Sequence, residues 1–323
     1  MKRFLLFLLS LLTVFSLNAQ RLRVGLVLGG GGAKGAATIS ILKEIEASRI
    51  PVDYIADTRP GNIIDGTSIG ALIGGLYACG YTVAEIEKVY MDVDWWTIGQ
   101  GDKVYDLLKR LLKEKDIKCF RDTKIPFRCV ATDMDDNMKE IVLGEDPDDD
   151  LATAMRASMS VPIVYKPVKW HGRRLSDGGL VNNLPVDVAR DMGAEVIIAV
   201  DLQQGEESPI DLPDILEGLN LRRFGQAGKL TDWLNKREDL PKYRQNVEDA
   251  DFYIHPTLEG YHMASFWSDD RSEMMKLGQD ALQEYLHRAA MGQLRSQKRD
   301  LSLLRKIVAS GAAATSNLIL PEE

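Results

Sequence analysis

A strand that runs straight into four consecutive glycines and out again into a helix constrains this chain more than any other stretch. Residues 22–28 are β-rich, Gly29-Gly30-Gly31-Gly32-Ala33-Lys34-Gly35 follows, and residues 36–47 are helical by the spacing of Ala36, Ile39, Leu42 and Ile45. Residues 52–55 are β-like again, which makes a βαβ unit. The alternation recurs, with residues 127–133, 139–143 and 196–201 as strands and residues 151–158 and 186–192 as helices. This pattern predicts an α/β fold with a mainly parallel sheet covered by helices on both faces. Residues 22–258 read as one domain, 259–309 as its helical C-terminal extension and 310–323 as a loose tail.

Successive glycines after a strand let backbone N–H groups converge on an anion, and the following helix adds its positive end. A Walker A loop is excluded, because it needs Gly before the lysine and Ser or Thr after it, where this chain has Ala33 and Gly35. A dinucleotide-binding turn is matched by Gly30-x-Gly32-x-x-Gly35, with Asp53 placed for a ribose contact. An oxyanion hole is the third reading, and a tight turn packed on the sheet is the purely structural one.

Two further motifs bear on that choice. Gly66-Thr67-Ser68-Ile69-Gly70 is G-x-S-x-G, followed by an apolar helical stretch. The flanking Gly66 and Gly70 permit a sharp turn that lifts the Ser68 hydroxyl into the open; the alternative is a serine N-cap in a glycine-rich turn. Much later stands Asp177-Gly178-Gly179, preceded by Arg156-Ala157-Ser158-Met159-Ser160-Val161-Pro162 and followed by Asn182-Asn183-Leu184-Pro185. A carboxylate on a glycine turn can approach a serine closely enough to take its proton, although Asp-Gly-Gly alone describes any turn.

Together, in this order, G-G-G-x-K-G, G-x-S-x-G and D-G-G resemble the patatin-like phospholipases, over most of residues 22–258. The resemblance implies a three-layer αβα sandwich and a Ser–Asp dyad with no histidine, no metal and no cofactor. Carried over, Ser68 is the nucleophile, Asp177 the base, and the turn of Gly30, Gly31, Gly32, Lys34 and Gly35 forms the oxyanion hole. One departure stands out. Where the family's strand passes directly into the elbow, residues 57–65 intervene here, with Arg59-Pro60-Gly61 at their centre, and Pro60 and Gly61 cannot continue a central strand. Either Asn62-Ile63-Ile64-Asp65 takes over as the final strand or the register of the elbow is disturbed and activity suffers.

A Ser-His-Asp triad in α/β-hydrolase order would draw on His255, His262 or His287 after Asp177 or Asp201, but none of the four histidines adjoins a turn that would deliver it to the elbow. Asp133-Met134-Asp135-Asp136-Asn137 begins like a calcium loop but lacks its glycine and its final glutamate. The three cysteines lack metal-ligand spacing and read as thiols, a Cys119–Cys129 bridge being the alternative.

Lys2-Arg3, an apolar run from Phe4 and the small Ala19 read as a signal peptide over residues 1–19, with a retained anchor helix as the alternative. The reading places the protein beyond a bacterial inner membrane, in the periplasm, at the outer-membrane periphery or secreted, and the chain ends before any outer-membrane barrel could be built. A net charge of −8 argues against a nucleic-acid partner. The expectation is hydrolysis of a lipid carboxylic ester, in a phospholipid or lysophospholipid, at a membrane surface and without a nucleotide. A nucleotide binder and a lipid-binding scaffold with an inactive elbow are the alternatives.

Overall fold

The computed structural model describes residues 23–47, 62–95, 103–162, 164–206 and 236–290. The expected signal peptide, the strand at residues 52–55 with Asp53, the Arg59-Pro60-Gly61 turn and residues 291–323 lie outside the described residues. Strands β1 (Val24–Leu28), β2 (Ile63–Thr67), β3 (Phe127–Asp133), β4 (Lys139–Leu143), β5 (Val168–Trp170), β6 (Arg173–Asp177), β7 (Val196–Val200) and β8 (Phe252–Ile254) form one sheet, ordered β5-β6-β3-β2-β1-β7-β8 with β4 also on β3. From β3 to β8 the pairs are parallel, as the alternation predicts.

The antiparallel part, β4 with the β5–β6 hairpin, is what periodicity did not separate. The reason is connection length. Residues 134–138 join β3 to β4, far short of the dozen or so residues that a parallel crossover needs, so the chain can only turn back. Asn137 and Met138 take positive φ angles to make that turn.

Helices α1 (Gly35–Ala47), α2 (Ile69–Ala78), α3 (Val83–Asp92), α4 (Lys103–Glu114), α5 (Leu151–Ser158) and α8 (Ser268–Ala290) pack on one face, and α6 (Val186–Asp191) and α7 (Leu240–Asp249) on the other. Strand residues divide with the two-residue period of a pleat: Leu26, Ile64 and Ile198 belong to the larger apolar cluster, Val27, Ile63 and Ile197 to the smaller one opposite. The result is a three-layer αβα sandwich with a core on either side of the sheet. Every residue of α2 is buried, so this helix needs no polar face.

Of the two expectations for residues 57–65, the structure takes the first: Ile63 and Ile64 open β2, in register with Gly25 and Leu26 of β1, and the strand passes directly into the elbow. The pairing of β3 then decides where the elbow points. β4 pairs with Cys129 to Asp133 along one edge of β3, so both β2, which pairs through Val130, and β6, which pairs from Ala131, must occupy the other edge. Thr67 faces Val130 and Asp177 faces Ala131, consecutive residues of one strand. Two strands of opposite direction therefore meet end to end, at the residues that carry Ser68 and Asp177.

Close backbone packing holds this junction to β1. A Cβ at Gly70 would overlap the Leu28 carbonyl, and one at Gly66 would lie 2.5 Å from the Gly70 carbonyl oxygen. Gly70→Ala should therefore cost about 2–3 kcal/mol of stability, seen as a lower midpoint in urea unfolding. An unchanged midpoint would contradict this packing.

Candidate active site

Ser68 sits between β2 and α2 with φ 55° and ψ −120°, a conformation that costs a non-glycine residue about 1–3 kcal/mol. Neighbours hold it there. Its N–H donates to Ser158 Oγ at 3.0 Å, and its carbonyl accepts from Ala71 N at 2.9 Å and Leu72 N at 3.2 Å, the first turn of α2. Thr67, just before it, donates its hydroxyl to the Asn182 carbonyl at 2.9 Å. The backbone is thus bent so that the side chain stands at the N-terminal end of a buried helix, whose dipole favours an alkoxide.

The hydroxyl donates to Asp177 Oδ2 at 2.7 Å, with no histidine between them. The other carboxylate oxygen accepts from Gly179 N at 2.8 Å, which is what the glycine turn after the aspartate supplies. Main-chain bonds fix the residue from both sides: Asp177 N donates to the Ser160 carbonyl at 3.0 Å, and Thr132 Oγ1 donates to the Asp177 carbonyl at 2.7 Å. Asp177 is 1% exposed and Ser68 7%, so both residues are buried, where the elbow motif predicts a hydroxyl lifted into the open. Burial pushes the Asp177 carboxyl up to about 7, against the lowering effect of its hydrogen bonds from Ser68 and Gly179.

The glycine turn packs against the same serine, since a Cβ on Gly30 would lie 3.2 Å from Ser68 Cβ. Its N–H groups divide into two sets. Gly29 donates to the Val200 carbonyl, Gly30 to Asn183, Ala33 to Met263, Lys34 to Gly31 and Gly35 to Gly32. Gly31 and Gly32 donate to no acceptor among the described residues. Of the five residues read as an anion cradle, the amides of Gly30, Lys34 and Gly35 are therefore occupied, and those of Gly31 and Gly32 are unbonded among the described residues. Asn183 braces the turn by donating Nδ2 to the Gly30 carbonyl at 3.3 Å, and Tyr90 does so by donating its hydroxyl to the Ala33 carbonyl at 2.6 Å. Gly32, at φ +56°, packs closely on Met263, whose carbonyl a Cβ at Gly32 would overlap.

Several of these partners had no role assigned from sequence. Ser158, Ser160 and Asn183 lie in segments whose composition stood out, but what each one holds follows only from tertiary contact. Arg156 is buried, donates to Ser160 Oγ at 2.6 Å and lies over the Tyr165 ring at 4.6 Å, so its charge steadies the loop that carries the Ser160 carbonyl. Met263 carried no sequence signal at all.

The histidines lie elsewhere. His171 is exposed and meets Asp149 at 2.7 Å, His255 contacts the Gln203 carbonyl, and His262 and His287 are at the surface. Asp201 accepts from Tyr243 and Tyr253. Asp133 and Asp135, in the stretch resembling a calcium loop, pair with Arg173 and Arg174. Among the described residues no acidic, histidine or cysteine cluster has the arrangement of a metal site, the three cysteines are free, and no helix is long and apolar enough to cross a membrane.

Comparison with known proteins identifies the family. Residues 26–190, from within β1 to within α6, match the family model of the patatin-like phospholipases. Patatin-like phospholipase domain-containing protein 7 of Rattus norvegicus is 29% identical over 278 residues, 76% of this chain and 19% of that protein. Patatin-like phospholipase domain-containing protein ZK370.4 of Caenorhabditis elegans is 30% identical over 319 residues, 88% of this chain and 22% of that protein. Lysophospholipase NTE1 of Saccharomyces cerevisiae is 31% identical over 217 residues, 60% of this chain and 12% of that protein. The chain thus spans about a fifth or less of these relatives. Among solved structures, VipD from Legionella pneumophila aligns with a TM-score of 0.47 at 14% identity, covering 90% of this chain and 74% of that one. The type III effector protein ExoU aligns with a TM-score of 0.48 at 11% identity, covering 89% and 59%. With the family model spanning both the glycine turn and the Ser68–Asp177 pair, the chain belongs to the patatin-like phospholipase family.

Proposed function

We propose that this protein is a lipid acyl hydrolase that cleaves a carboxylic ester of a phospholipid or lysophospholipid through an acyl-enzyme on Ser68. The observation that carries the reading is the 2.7 Å hydrogen bond from Ser68 Oγ to Asp177 Oδ2. Asp177 takes the hydroxyl proton as Oγ attacks the ester carbonyl, and the Gly31 and Gly32 amides receive the oxyanion. Collapse of the tetrahedral intermediate expels the alcohol, which leaves with the proton from Asp177. Water then attacks the acyl-Ser68 ester, again giving its proton to Asp177, and the fatty acid departs as Ser68 regains its hydrogen. No histidine is needed as a relay, because serine and carboxylate touch. The substrate class is supported by the family and by the name of the yeast relative, a lysophospholipase.

Export belongs to the same proposal: Lys2-Arg3 and the apolar run after them read as a signal peptide, so the enzyme would meet its lipids outside the cytoplasm.

On a short-chain chromogenic ester, Ser68→Ala and Asp177→Asn should each lower kcat/KM by about 10³-fold or more. Full activity in either folded variant would contradict the roles given. Because Asp177 must be ionised to accept a proton, kcat/KM should rise with pH through about 7 and then level off. A profile flat from pH 5 to 9 would remove the carboxylate from the reaction.

Stability should move the opposite way. A carboxyl with a folded-state pKa of about 7, above its unfolded value near 4, binds a proton more readily in the folded state. Stability is therefore lost as pH rises through that window. Asp177→Asn, which keeps an acceptor for Gly179 N–H, should melt higher than the parent at pH 8, and the difference should shrink by pH 5. A lower melting temperature at pH 8 would show that the buried charge is compensated.

A further inference from the structure

The strand that leads into the elbow carries a buried carboxyl that the proposed chemistry does not use. Asp65 lies two residues before Thr67 on β2, is fully buried, and accepts the Gly66 amide on Oδ1 at 2.7 Å. Its other oxygen, Oδ2, meets no hydrogen-bond partner among the described residues. Other buried aspartates are served: Asp133 by Arg173, Asp201 by Tyr243 and Tyr253, and Asp251 by Arg190. A carboxylate held as Asp65 is would be costly, since a buried charge needs a counter-ion or several donors.

The groups around Asp65 supply no such counter-ion. The two-residue period of the strand places it with Ile63 on the face covered by α6 and α7. Glu140 of β4 and Asp187 of α6 act on it there, and both are already bound. Lys242 of α7 pairs with each of them, and Asn182 Nδ2 donates to Glu140 at 2.8 Å and to Asp187 at 2.9 Å. In register with Asp65, β1 offers the apolar Val27 and β3 offers Arg128, with the buried Cys129 thiol next along. Burial pushes the Asp65 carboxyl well above the usual carboxylate range; the Gly66 amide opposes this, Asp187 and Glu140 add to it, and Arg128 counters least.

The same cluster holds the elbow. Asn182, whose side chain binds Glu140 and Asp187, accepts the Thr67 hydroxyl on its carbonyl and closes the turn after Asp177 by donating its amide to the Gly178 carbonyl at 2.9 Å. Asn246 of α7 donates to Asn182 Oδ1 at 3.0 Å. A negative charge on Asp65 would repel the two carboxylates that anchor Asn182, and through Asn182 it would act on Thr67 and on the Asp177 turn together. We infer that Asp65 is a positioning residue of the elbow that works as a neutral carboxylic acid: protonated, it holds Gly66 and leaves the Asn182 cluster in place, and deprotonated, it loosens the turn that carries Ser68. The inference rests on the proposed ester hydrolysis only where activity is read.

The test reads the elbow by hydrogen exchange and its consequence by turnover. Exchange of the peptide over residues 62–72, corrected for the intrinsic pH dependence of exchange, is followed from neutral pH to the highest pH at which circular dichroism shows a folded protein. Protection should fall by about tenfold or more in the wild type. On the chromogenic ester, kcat/KM should leave the plateau set by Asp177 and fall by about the same factor, with KM little changed. Asp65→Asn, which has the shape of the protonated acid, should lose both alkaline declines. Asp65→Ala, also neutral but without an acceptor for the Gly66 amide, should lose them too while exchanging faster at every pH, and it serves if Asp65→Asn does not fold. Alkaline declines shared by the wild type and the folded variants, or no decline in the wild type, would overturn the role. A wild type that shows the exchange pattern but cleaves no ester would refute the hydrolysis proposal and leave the role of Asp65 standing.

Discussion

One edge of one strand organises this site. Because β4 occupies the far side of β3, the parallel strand that ends at Thr67, just before Ser68, and the antiparallel strand that ends in Asp177 share the near side, and they meet at Val130 and Ala131. A hydroxyl and a carboxylate from residues 109 apart in sequence are brought within 2.7 Å by backbone hydrogen bonding rather than by flexible side-chain reach. Everything else braces that contact: Ser158 under the elbow amide, Gly179 on the second carboxylate oxygen, and Asn183 on the glycine turn. Side chains placed on strand ends are held more firmly than any loop could hold them.

Burial does the chemical tuning. A carboxylate in water is too weak a base to draw a proton from serine at neutral pH, and it would ordinarily need a histidine between the two. Here the Asp177 carboxyl is removed from water with two hydrogen bonds to stabilise its charge, and its affinity for a proton rises to about 7. Desolvation opposes the hydrogen bonds and prevails. The strained Ser68 backbone belongs to the same pattern, in which a site holds groups in states that a purely structural segment would relax.

Much of this was legible in the order of residues. The βα alternation predicted the parallel strands and the covering helices, and the continuously apolar residues 196–200 became a fully buried strand. The three glycine motifs were readable because each demands a backbone that side chains would obstruct, as Gly70 against Leu28 illustrates. Less legible were features created by contact between distant segments. Short β5 and β8 leave weak periodic signals, and the antiparallel turn of β4 follows from loop length rather than from pattern. Ser158 is an ordinary helix residue until the elbow amide arrives, and Met263 an ordinary methionine until Gly32 packs on its backbone. The glycine turn shows the same limit at finer scale, since sequence marked five residues and the hydrogen-bond pattern leaves two amides unbonded among the described residues.

The central claim is that Asp177, touching Ser68 directly, activates it as a nucleophile. A fluorophosphonate probe reports this most directly, because it reacts with an activated serine and stays attached. Intact-mass and peptide mapping should find one adduct, on Ser68, forming at a rate that Asp177→Asn lowers by about 10³-fold or more and that substituting each histidine in turn does not change. An adduct on another residue, or labelling of Ser68 at the same rate in folded Asp177→Asn, would contradict it.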